Sequence, residues 1–146
     1  MRVFAASTIL FLAPVIAWNL AFTRALKIDR FFPGSAPRLL RTAEAISRAF
    51  VFVYPLFLAT HPQSPLFRIG LGTYTGGSIL YYASWIALMR LPEATVRRHR
   101  LLPLAPAYTP ALFLSGIAMM TESPLYGGAA LLFVALHTFE YVYRLP

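Results

Sequence analysis

The sequence predicts an all-α fold: an integral membrane bundle of about five transmembrane helices in one domain covering residues 1–146. Three observations carry that expectation. The chain is 58% hydrophobic and only 12% charged, with a mean hydropathy of +0.63, whereas soluble domains run near 45–50% apolar and about 25% charged. A polypeptide of this length has too small an interior to hide so much apolar surface from water. Finally, five apolar runs alternate with proline-marked joins, and the charged residues gather in the joins.

The first run, Val3 to Phe22, is long enough at about 1.5 Å per residue to cross a hydrocarbon layer of roughly 30 Å. Pro14 should bend it. Arg2, the apolar stretch and Val15-Ile16-Ala17 also fit a cleaved signal peptide, whose removal would leave four spans in the same orientation. The second run, Ile46 to Thr60, is extended backwards by Leu39, Leu40 and Ala43 at helical spacing. One helix is therefore expected from about Pro37 to Thr60, spanning from about residue 44. Its amphipathic lead-in would lie at the interface with Arg38, Arg41, Glu44 and Arg48 toward water or headgroups, before the chain enters the membrane past Pro55. Glu44 and Arg48, four residues apart, read as a local ion pair. Run three is Ile69 to Met89, run four Leu104 to Met120 and run five Leu125 to Tyr143.

Lys and Arg counts in the joins give the orientation. Residues 23–48 carry Arg24, Lys27, Arg30, Arg38, Arg41 and Arg48, residues 90–103 carry Arg90, Arg97, Arg98 and Arg100, and the tail carries Arg144. The alternate side carries Arg2 and Arg68 alone. That asymmetry in short loops places the amino terminus outside a cytoplasmic-type membrane and the carboxyl terminus in the cytoplasm. The net charge of +8 is then explained by anionic headgroups. A nucleic-acid partner would need one basic face among polar residues, which the pattern lacks.

Several chemistries are excluded. Without cysteine there are no disulfides, thiolate nucleophiles or iron–sulfur ligands. HExxH, GxSxG and Walker patterns are absent, and Gly70, Gly72 and Gly76 do not fit dinucleotide spacing, so no motif names a cofactor or a metal. His61 and His137 cannot share a haem iron, because the expected topology separates their depths by roughly 15 Å or more.

Helix faces supply the candidate residues. On run three, Gly72 and Gly76 form a GxxxG pair continued by Ala83 and Ala87, a strip for packing within the chain, for a homo-oligomer or for a larger membrane complex. The opposite face gathers Tyr74, Ser78, Tyr81 and Trp85, with Tyr81 too deep for an interfacial belt and so a candidate ligand contact. On run four, Ala107, Ala111, Ser115 and Ala118 repeat the small-residue pattern, and Pro106 and Pro110 frame Tyr108 and Thr109. Run five carries His137, Glu140, Tyr141 and Arg144 on one face. Glu140 and Arg144 are in the favourable order for an ion pair, and His137 with Glu140 is a candidate acid–base pair. Asn19, Tyr82, Trp85, Tyr108, Thr109 and His137 should share the cytoplasmic half of the membrane and converge on one pocket.

Three function classes follow. The first, favoured because packing surface is abundant and chemistry scarce, is a protein that binds an apolar or lipid-like ligand, membrane lipids or partner helices. The second is a small membrane enzyme acting on a lipid-like substrate at the inner leaflet, with His137 and Glu140 as its catalytic pair. The third, a transporter or channel subunit, lacks the charged relay and paired broken helices expected of a transport path.

Overall fold

The computed structural model describes residues 8–26, 31–99 and 101–145. The start of the first run at Val3, and Arg2, Lys27, Arg30 and Arg100 from the orientation count, lie outside them. The described chain is all-α. Its helices are α1 (Ile9–Leu26), α2 (Arg38–Val53), α3 (Pro65–Arg90), α4 (Glu93–Arg98), α5 (Ala105–Tyr108), α6 (Pro110–Met120) and α7 (Pro124–Tyr143).

Local chemistry sets these boundaries. Ser64 caps α3 by accepting from the Leu66 N–H at 3.2 Å, and Ser123 caps α7 by accepting from the Tyr126 N–H at 3.2 Å. In both helices a proline follows, at the first helical position, where its missing N–H costs nothing. α3 stops at Arg90 because Leu91 precedes Pro92 and is held extended. Two expected helices are broken by proline. α2 ends at Val53, not Thr60, since the Pro55 ring crowds the carbonyl four residues back, and the chain tightens into a 3-10 turn over Tyr54–Phe57. The Thr8 hydroxyl donates to the Pro55 carbonyl within that turn, a proton shared with the Leu58 carbonyl just beyond it at 3.2 Å. Run four likewise divides at Thr109, before Pro110, and the Thr109 hydroxyl itself donates to the Ala105 carbonyl at 2.7 Å.

Two helix pairs form the bundle, α3 with α6 and α2 with α7, joined by α6 against α7. α5 wedges between α3 and α7, and α1 lies along α3. α6, packed against both α3 and α7, links the two pairs. α1 is fastened by two tyrosine hydroxyls of α3, Tyr74 donating to the Phe11 carbonyl at 2.7 Å and Tyr81 to Asn19 Oδ1 at 2.6 Å. Trp18 rests on the ring of Tyr82, with centroids 4.7 Å apart.

The α3–α6 crossing is made by glycines the sequence reading passed over. A Cβ on Gly116 would sit 2.5 Å from the Tyr74 nitrogen, one on Gly77 2.5 Å from the Phe113 nitrogen, and one on Gly70 2.7 Å from the Gly116 carbonyl oxygen. Gly72 and Gly76 have open space where a Cβ would go. Among the described residues, Gly72 and Gly76 of the GxxxG strip therefore meet no neighbour inside the chain. The strip faces outward with the exposed Ala83, and the polar-aromatic stripe of Ser78, Tyr81 and Trp85 faces the core.

Candidate functional site

Burial in α2 runs through Leu40, Glu44, Ser47 and Val51, one face at four- and three-residue steps. Leu39, Ile46 and Phe50 lie on the exposed side. Arg38, Arg41 and Arg48 are exposed as expected, but Glu44, assigned to water with them, is 2% exposed inside the bundle. A buried carboxylate demands partners, and it has two. Arg48 Nε and Nη2 donate to Glu44 Oε1 at 2.9 and 2.5 Å, and His137 Nδ1 of α7 lies 2.8 Å from the same oxygen. The expected Glu44–Arg48 pair is present, but as part of a bridge between helices.

Because the carboxylate accepts, the His137 proton belongs on Nδ1, and Nε2 is the ring's remaining acceptor in the neutral form. The ring is held on both sides, stacked on Phe133 with centroids 5.2 Å apart and edge-on to Tyr141 at 5.0 Å. Further along α7, Arg144 donates to the carbonyls of Gly34 and Phe32, each at 3.1 Å. Phe32 is buried against Tyr141, 4.7 Å between centroids. The segment before α2 is thereby tied over the end of α7.

Beside this bridge is a cavity of about 480 Å³. Its wall draws on α1 (Val15, Asn19, Thr23), α2 (Arg48, Phe52), α3 (Tyr81, Trp85), α5 and α6 (Ala107, Phe113) and α7 (Phe133, His137, Tyr141). The size is typical of a small-molecule site, as is the mixture of a mostly apolar and aromatic lining with a few polar groups.

No protein-family model matches the chain, and no curated protein or solved structure does either.

Of the candidate residues, Asn19, Tyr81, Trp85 and His137 are brought together around the cavity. The others are dispersed. Tyr74 is spent on Phe11, and Ser78 is buried one turn along from it. Tyr82 packs on Trp18, Tyr108 is exposed, and Thr109 is buried on its own turn. Glu140 is half-buried beside the bridge, and one ligand atom from each of Glu44, His137 and Glu140 lies within 4.8 Å of the others. Those three groups have the donor chemistry for a divalent transition metal, but Arg48 already holds Glu44 Oε1, which sets a guanidinium against any cation there.

Sequence reasoning missed Glu44 and Arg48 as site residues, together with Phe52, Phe113 and Phe133. The signal for Glu44 was its place on the Leu40–Val51 face; for the phenylalanines there was none, since they differ from other span residues only in what they meet.

Proposed function

We propose that this chain is a multi-pass membrane protein that binds an apolar, lipid-like ligand in the cavity. The observation that carries the reading is the cavity itself, about 480 Å³ of mostly apolar space, with its polar groups confined to a few positions such as Asn19, Thr23, Arg48 and His137. Such a distribution suits a ligand that is apolar over most of its length and polar at one end.

Membrane residence is supported by the outer surface. Large apolar side chains stand exposed on several helices, among them Leu20 at 79%, Leu39 at 82% and Phe57 at 80%. Soluble monomers do not expose apolar surface so extensively. By length and hydropathy α7 alone, among the described residues, passes as a membrane-crossing helix, with shorter apolar helices at Ile9–Ala25 and Ala105–Met120. α3 is long enough at 26 residues, but its glycines, threonines and tyrosines dilute its hydropathy. In a five-span arrangement the cavity falls in the cytoplasmic half, since its walls are the later turns of α1, α3 and α7.

The test is native mass spectrometry of gently extracted protein, with Ala107→Phe as a cavity-filling variant. Ala107 is buried and lines the cavity. The wild type should carry an amphiphile, or take one up when it is added, and the variant should do neither. Empty wild-type protein that refuses added amphiphile overturns the reading.

A second reading, an enzyme acting on a lipid-like substrate at the inner leaflet, is favoured by one observation. A histidine whose Nδ1 is held by a buried carboxylate is arranged as a general base. The partner that supports this is Glu44 in place of Glu140.

A further inference from the structure

Among the described residues, Arg48 is the one charged side chain in the cavity wall. Its Nε and Nη2 both bind Glu44 Oε1, so guanidinium and carboxylate offset each other. An anionic head drawn to the guanidinium's remaining N–H groups would sit beside the Glu44 carboxylate, and a pair that is already neutral overall gives it little net attraction. A cationic head would need Glu44, which is buried and already accepts from Arg48 and His137. His137, with Nδ1 committed to Glu44 at 2.8 Å, retains Nε2 as an acceptor on a ring that lines the cavity. That acceptor, set among aromatic rings, matches a group that gives a hydrogen bond.

We propose, building on the reading of the cavity as a ligand site, that its ligand is an uncharged amphiphile headed by a hydroxyl, which donates to His137 Nε2. A carboxylate, phosphate or ammonium head is discriminated against by the closed Arg48–Glu44 pair.

The experiment uses the full chain in nanodiscs of phosphatidylcholine and three probes of equal chain length: hexadecanol, hexadecanoate and hexadecyltrimethylammonium. Binding is read from tryptophan emission, because Trp85 lines the cavity, with Ala107→Phe supplying the baseline for simple partition into lipid. Hexadecanol should bind at least about tenfold more tightly than either ion, and His137→Phe should weaken it about fivefold. Hexadecanoate or the ammonium binding as tightly as the alcohol overturns the proposal, as does a folded His137→Phe that binds the alcohol like wild type. If His137→Phe fails to fold, the ranking of the three probes on the wild type decides. No binding of any probe above the Ala107→Phe baseline removes the ligand site itself, a result distinct from binding with the wrong preference.

Discussion

Glu44 Oε1 of α2 and His137 Nδ1 of α7 lie 2.8 Å apart across 93 residues of sequence, and they join two helices from opposite halves of the chain. The contact is buried on the carboxylate side and lined by a cavity on the imidazole side. It therefore links packing to the site: whatever holds Glu44 in place also sets which nitrogen of His137 is free.

Glu44 stays ionised inside the bundle through His137 and, from its own helix, Arg48. Its own side chain is 50% exposed, so the two members of the pair are not equivalent. Arg48→Ala leaves a buried carboxylate with His137 alone and should destabilise the protein by about 3 kcal/mol. Glu44→Gln keeps a hydrogen-bonding group and frees an arginine that can reach water or headgroups, so it should cost about 1 kcal/mol. Thermal unfolding of both variants in one detergent checks the order. Equal losses would mean that Glu44 is solvated and that the bridge contributes little.

The glycines make an opposing pair of sites. A side chain at Gly116 or Gly77 meets backbone on the facing helix at 2.5 Å, and backbone cannot step aside. Gly116→Ala and Gly77→Ala should each force α3 and α6 apart and lose about 1–3 kcal/mol. At Gly72 and Gly76 nothing stands within 4 Å. Gly72→Leu and Gly76→Leu should leave monomer stability unchanged, and a change in apparent mass on size-exclusion chromatography would assign the outward strip to a homo-oligomer. A drop in melting temperature for the monomeric Gly72→Leu protein would contradict the geometry.

These glycines also show how far the sequence could be read. Helix existence was legible because apolar periodicity and the Ser-Pro starts at Ser64 and Ser123 are local signals. Helices were expected to run through Pro55 and Pro110, and both break there, since a proline either kinks or ends a helix according to what receives the freed carbonyls. Which glycine strip meets a neighbour depends on the partner's surface: Gly70 is chosen by Gly116 and Gly77 by the backbone of Leu112 and Phe113, all on α6 and far along the sequence. The site was half legible. Depth arithmetic brought Asn19, Trp85 and His137 to one level, and they do share the cavity. The partner of His137 was misassigned because Glu140 is adjacent on its own helix, while Glu44 arrives through the α2–α7 pairing.

α1 depends on α3 through few polar ties, and this makes it separable. Tyr81→Phe removes the bond to Asn19, and Tyr74→Phe the bond to the Phe11 carbonyl. Each should cost about 1 kcal/mol. Because the two hydroxyls hold one helix at two levels, the double variant should increase amide hydrogen exchange across residues 9–26 with little change in α6 or α7. Uniform acceleration across all helices would show instead that α1 is integral to the cooperative core.

The five-span reading makes a prediction that the absence of cysteine renders simple to check. Gln63 is exposed in the join between α2 and α3, where the His61 N–H donates to the Met120 carbonyl at 2.9 Å and so lies level with the end of α6. Ser35 is exposed in the segment that Arg144 ties to the opposite end of the bundle. Lys and Arg counts put the Ser35 side in the cytoplasm. In intact cells producing single-cysteine variants, a membrane-impermeant maleimide should label Gln63→Cys, and should label Ser35→Cys only after permeabilisation. The reverse pattern would invert the protein and move the cavity to the outer leaflet, and labelling of both from one side would remove the transmembrane course of α2.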